Sequence, residues 1–127
     1  MLIQVEIHIM LHVRGDVSVV AVVVKFVLGE NTRWEAERIA DIFTALLKKH
    51  SGPFHHVDYL GEYELGEYMG IVYWETREGA EESIRAFLPF LKRMVEYNSQ
   101  YPITLELFDV YKPKEIEVDI DIKQYEL

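Results

Sequence analysis

His56 and Asp58 stand two residues apart within 54–63, a stretch that reads as a strand, so both side chains share one face. An imidazole beside a carboxylate is a pairing from which a general base can be built. The same spacing also arises in a partly exposed strand, where the pair does no chemistry. His55 points to the opposite face, and the adjacent histidines cannot share a metal without a bulge. His8 and His12 share a strand face but lie about 13 Å apart, at ~3.3 Å per residue, too far for ligands that sit about 2 Å from one ion. Glu115, Glu117, Asp119 and Asp121 form a row of carboxylates on one side of a last strand. Alternate residues are about 6.7 Å apart, so only neighbouring pairs could meet at Ca²⁺ or Mg²⁺, and no glycine-containing ligand loop accompanies them. A solvated edge that discourages unwanted strand pairing is the simpler role. Arg77 and Arg85 could meet an anion near a helix start, but Glu78, Glu81 and Glu82 crowd the same turns. There is no Gly-rich phosphate loop, zinc spacing or Ser-His-Asp order. No metal and no cofactor is expected.

Aromatic residues make a second constellation. Tyr59, Tyr63, Tyr68, Tyr73 and Trp74 fall within one expected hairpin. Large rings with a polar tip suit a subunit interface, an amphipathic pocket or a packed core, and the sequence leaves all three open.

These residues sit in a chain of 127, one domain by length, of which 50% is apolar. The formal net charge is −9, with 22 acidic against 13 basic residues. No basic stripe is present for nucleic acid or for an anionic membrane surface, and neither partner is expected. Without cysteine there is no disulfide framework, thiolate nucleophile or Cys-ligated metal. The N-terminal residues alternate instead of forming a signal-peptide core, and the longest apolar run, broken at Lys25, is too short to span a bilayer. The expected location is cytoplasmic. Abundant Glu and Lys with few Asn, Gln and Cys fit a thermophile.

The positioning elements follow from periodicity. Residues 1–13 alternate as a half-buried strand, and Arg14-Gly15-Asp16 is turn chemistry. Residues 17–28 are β-branched and apolar on both faces, as in a central strand covered on both sides. Thr32 with Glu35 spells a capping box. Ala36, Ile39, Ala40, Phe43, Leu46 and Leu47 then share a helical face, and Ser51-Gly52-Pro53 ends the helix. Residues 54–63 and 68–75 flank a turn at Gly66. Thr76 caps a second helix with Ala80, Ile84, Phe87, Leu88, Leu91 and Val95 on its buried face, and Pro89 predicts a kink or break near Phe87. Strands follow at 103–111 and 115–122. The expected fold is α+β: a ferredoxin-like β-α-β-β-α-β core with an extra N-terminal and C-terminal strand, and two helices on one face of a mainly antiparallel sheet. A tight hairpin from the first strand to the central one would take a place the core strands need. Either 103–111 is displaced, onto a partner subunit for example, or the first strand does not pair as a simple hairpin.

Val24-Lys25-Phe26-Val27 leading into helix one, then Ile71-Val72-Tyr73-Trp74-Glu75-Thr76-Arg77-Glu78-Gly79-Ala80, resembles the dimeric α/β-barrel superfamily. Its members include antibiotic-biosynthesis-type monooxygenases and haem-degrading relatives. The resemblance implies two sheets packed face to face across a dimer, a ligand pocket beside the sheet, and Trp74 as a pocket wall or stacking group. The chain departs from the family in lacking the strand Asn of some cofactor-free members within 17–28. It also has no His after His56, so haem ligation from the second helix is not implied.

Two functions follow. One is a homo-oligomeric binding or assembly module without catalytic residues. The other is a dimeric α/β-barrel-type protein that binds a small apolar molecule, or a cofactor-free oxygenase or isomerase, with Trp74, Tyr73, His56, Asp58 and Tyr59 around its pocket. Both expect a homodimer or higher homo-oligomer.

Overall fold

In the computed structural model, which describes residues 5–9, 19–52, 54–95 and 99–125, the elements are β1 (Val5–Ile9), β2 (Val20–Val27), α1 (Arg33–His50), β3 (His56–Glu62), β4 (Glu67–Trp74), α2 (Arg77–Val95) and β5 (Ile103–Asp109), followed by a short 3-10 turn at Ile122–Tyr125. The sheet order is β1-β5-β2-β4-β3. From β2 to β5 every pairing is antiparallel, the ferredoxin-like core.

The N-terminal strand does not form the hairpin. β1 lies parallel to β5 at the sheet edge, with Val5 opposite Ile103 and Ile9 opposite Leu107. Both sides of β2 are already filled by β4 and β5, so the first strand pairs at an edge of the core instead, beyond β5. The Arg14-Gly15-Asp16 turn and His12 lie outside the described residues.

The core lies between the sheet and the two helices. Val20, Val22 and Val24 of β2 meet Ala36, Ile39, Phe43 and Leu47 of α1 and Ala80, Ile84, Phe87 and Leu91 of α2. Each fully buried aliphatic side chain of this kind contributes roughly 1.5–3 kcal/mol. Both expected helical stripes are thus realised, with Ala40, Leu46 and Leu88 half-buried at their margins.

Four local expectations change. Thr32 precedes α1 but makes no side-chain capping bond. Its hydroxyl donates to the Gly29 carbonyl at 2.6 Å and meets the Tyr68 hydroxyl at 2.9 Å. α2 runs unbroken through Pro89, whose position is exposed, so the ring projects away from the core. The central strand is covered by helices on one face only. Finally, residues 115–122 join no ladder; everything from Tyr111 to Tyr125 is exposed. Alternation alone cannot make a strand without an edge to pair with, and β5, the strand it follows, has a neighbour on each side.

One close approach locks the top of the fold. Gly66 ends the β3–β4 turn at φ +69°, and a Cβ there would lie 1.7 Å from the Gly29 carbonyl oxygen. The Leu28 amide donates to the Gly66 carbonyl at 2.8 Å. This pins the β2–α1 connection against the hairpin and fixes the aromatic side chains that follow.

Candidate functional site

The five residues singled out above separate into three places. His56, Asp58 and Tyr73 lie on the open face of the sheet, away from the helices. His56 Nε2 is 3.4 Å from Asp58 Oδ2, and its ring stacks on Tyr73 at 4.3 Å between centroids. The neighbouring His55 turns to Glu75 at 3.0 Å. His56 and Asp58 are both more than half exposed, so the imidazole–carboxylate pair exists but stands in solvent in the single chain.

Trp74 is on the other face. It is 2% exposed and belongs to the core, tilted against Phe54 at 5.7 Å. Its indole N–H has no acceptor among the described residues. A void of about 20 Å³ lies beside it, lined also by Phe43, Phe87 and Leu91. Burying an N–H without a partner costs about 1–3 kcal/mol.

Tyr59 faces α1, and here the structure builds a chamber. It is a cavity of about 80 Å³ between α1 and the β2–β4–β3 portion of the sheet. Val24, Phe26, Ile39 and Phe43 give it an apolar floor and wall, and Tyr59, Tyr63 and Tyr68 line the outer side. Small residues make the room. A Cβ at Gly70 would approach the Tyr59 ring at 3.3 Å, and one at Gly61 the Tyr68 ring at 3.1 Å, so glycine lets each ring lie down on the neighbouring strand.

Two threonines hold the tyrosines, Thr44 within α1 and Thr32 just before it. Thr44 shares a hydrogen bond of 2.6 Å with the Tyr59 hydroxyl, and Thr32 pairs with Tyr68 as described. Burial raises the Tyr59 pKa; the Thr44 hydrogen bond opposes the shift, and the nearby Asp41 charge adds to it. Tyr59 is therefore a protonated, neutral group at physiological pH. At the mouth, the Arg33 guanidinium lies 4.2 Å from the centroid of the Tyr63 ring and bonds Glu37 at 3.0 Å. The chamber thus offers hydroxyl groups to orient a ligand, while Glu37, the carboxylate on its lining, is tied to Arg33.

Sequence reasoning found Tyr59 but not its partners. Thr44 lies one helical turn beyond Ala40 on the margin of the buried stripe; its place there was the available signal. No group of three or more His, Asp or Glu that could hold a metal occurs among the described residues.

With this geometry in place, the fold is that of the antibiotic-biosynthesis-monooxygenase-like proteins, ferredoxin-like in architecture. The chain is similar to a protein of that type from Nitrosomonas europaea, with 10% identity and a TM-score of 0.63 over 81% of this chain and 100% of that one. A Caulobacter crescentus protein of the same type gives 11% identity and a TM-score of 0.61, over 75% and 92%. SnoaB from Streptomyces nogalater, described as a cofactor-independent oxygenase, gives 19% identity and 0.58, over 77% and 97%. No protein-family model matches the chain, and no curated protein matches it in sequence. No helix among the described residues is long and apolar enough to cross a membrane.

Proposed function

We propose that the protein is a homodimeric binding protein of the dimeric α/β-barrel type, holding a small, flat, apolar molecule between α1 and the β3–β4 hairpin. The observation that carries this reading is the apolar chamber with the Tyr59 and Tyr68 hydroxyls on its wall. Pockets of this make-up, an apolar lining with a few convergent polar groups, are the usual seat of small ligands. At about 80 Å³ the chamber is smaller than the roughly 150 Å³ cavity that accepts benzene. Entry of a ring therefore requires Tyr63 to swing out over the exposed mouth. Thr44 and Thr32 spend their protons on the Ala40 and Gly29 carbonyls, so Tyr59 and Tyr68 donate to them and offer a ligand hydroxyl their lone pairs, and Arg33 holds the mouth cover by its contact with Tyr63.

The dimer rests on the open sheet face. Val23, Ile71 and Phe108 lie there half-buried, with no helix above them among the described residues. An apolar face of this extent is suited to cover by a second sheet. Trp74 is packed in the core and takes no part in the chamber's lining, and His56, Asp58 and Tyr73 belong to the dimer face.

The test is a titration with 1-naphthol and 2-naphthol, followed by calorimetry. Saturable one-to-one binding is expected, and Ala40→Phe, which fills the chamber, should abolish it while leaving the far-UV circular dichroism unchanged. Binding that survives Ala40→Phe would place the ligand elsewhere. Oxygenase chemistry is the second reading, favoured by the likeness to SnoaB. Oxygen uptake in the presence of an electron-rich phenol, lost in Tyr59→Phe and in the chamber-filling Ala40→Phe, would establish it.

A further inference from the structure

A hydroxyl has one proton to give, and at the chamber wall those protons are already assigned. Thr32 gives its proton to the Gly29 carbonyl at 2.6 Å, so the 2.9 Å bond between Thr32 and Tyr68 takes the tyrosine's proton. Thr44 donates to the Ala40 carbonyl at 2.8 Å, and the Tyr59 hydroxyl donates to Thr44 at 2.6 Å. The two pairs differ in firmness. If Thr44 turned its proton to Tyr59, the Ala40 carbonyl would keep the backbone bond that an α-helix gives it. If Thr32 turned, the Gly29 carbonyl would lose its bond to Thr32, at the point where the β2–α1 connection presses on Gly66. Tyr68 is also the more enclosed, 8% exposed against 40% for Tyr59, so water is less able to replace a lost bond there.

We infer that Thr32 sets the specificity of the chamber through Tyr68. By holding the tyrosine's proton it makes the wall an acceptor. The chamber then selects a ligand that brings a proton of its own, a hydroxy-aromatic, over the same rings carrying only carbonyl oxygens. The other polar side chains on the lining do not reverse this. Glu37 is a carboxylate and only accepts. Tyr63 is able to donate, but it is 43% exposed at the mouth, where water serves it. An acceptor ligand is satisfied at Tyr68 only by breaking the Thr32–Tyr68 bond. That costs about tenfold in affinity, the worth of one neutral hydrogen bond at about 1.4 kcal/mol per decade. The inference rests on the chamber reading and adds to it which chemical form of a flat molecule is held. Thr32 is a positioning residue in this role.

Calorimetry on the full chain compares 2-naphthol, which donates, with 1,4-naphthoquinone, which has the same two fused rings and only accepts. The chain has no cysteine thiol to add to the quinone. The parent should hold the naphthol about tenfold more tightly or better. In Thr32→Ala the Tyr68 proton is free to turn to the ligand. The ratio should fall to about threefold or less, through tighter quinone and weaker naphthol binding. Thr32→Ser keeps the hydroxyl and should restore the parent's ratio. A merely structural role for Thr32 would weaken both ligands alike and leave the ratio where it was. Tyr68→Phe approaches from the other partner and leaves the Thr32–Gly29 bond in place. It should flatten the ratio by losing naphthol affinity, with no gain for the quinone. Circular dichroism checks that each variant is folded, and if Thr32→Ala is not, Tyr68→Phe decides. Equal affinities in the parent, or the parent's ratio surviving in either folded variant, overturn the inference and leave the chamber reading intact. If neither ligand binds the parent, both fall.

Discussion

Thr32 and Thr76 both precede a helix, yet only Thr76 caps one. Its Oγ1 accepts from the Gly79 amide at 3.0 Å, whereas the Thr32 hydroxyl is drawn away to Gly29 and Tyr68. Their substitutions should therefore differ in kind. Thr76→Ala is expected to lower stability by about 1 kcal/mol, the usual worth of an N-cap, read from urea unfolding. Thr32→Ala releases the Tyr68 hydroxyl and so should reduce naphthol affinity as well as stability. Tyr59 supplies a pH signature. Its folded pKa lies above the ordinary value of 10.0 through burial, so the unfolded chain loses this proton first as pH rises. The stability it contributes is complete below about pH 10 and is lost as pH climbs through the folded value. Spectrophotometric titration should show one tyrosine ionising late, and Tyr59→Phe should remove that step.

At the scale of elements, the β3–β4 hairpin matters most because it carries three of the chamber's tyrosines. Its turn is tied by its own first residue: the Glu62 carboxylate accepts from the Leu65 amide at 2.8 Å, and the Gly66 amide donates to the Glu62 carbonyl at 2.9 Å. Gly66→Ala would drive a methyl group into the Gly29 backbone at a left-handed φ. It should cost about 2–4 kcal/mol or more, the range of the most damaging single substitutions, measured by chemical denaturation. At the opposite end Arg77 pairs with Asp109 at 3.4 Å, both largely buried, and ties the start of α2 to the end of β5. Periodicity made the helices and core strands legible, since a repeat of 3.6 or 2 follows from local geometry. Pro89 misled because its ring faces solvent, where a helix that is packed along its other face tolerates it.

For the whole molecule, the decisive fact is a sheet that, among the described residues, carries helices on one side only. β2 reads as a strand buried twice, and a single chain buries it once. Ile71→Asp, at the centre of the open face, should give a monomer by light scattering with the helices and sheet retained, because the charge costs less on the half-buried face of a single chain than in a closed dimer. A dimer of undiminished tightness would remove the face-to-face premise. Net charge bears on the same prediction: at −9, two copies repel at long range, so added salt should favour the proposed dimer in light scattering.

Within the chain, local patterning was enough to specify two amphipathic helices, the central strand, the hairpin and the ferredoxin-like order, because each depends on neighbours a few residues away. The same patterning placed His56 and Asp58 on one strand face, as the structure has them, but not the stacking of Tyr73 on His56, which the β3–β4 register sets. Only the tertiary structure decided that Trp74 points into the core while Tyr59 turns to Thr44, since sheet register and helix placement determine what meets across a gap. Only it decided that β1 runs parallel to β5 and that residues 115–122 have no edge of their own. Strand pairing is a contest for vacant edges, and an alternating sequence can declare a strand without saying where the vacancy is.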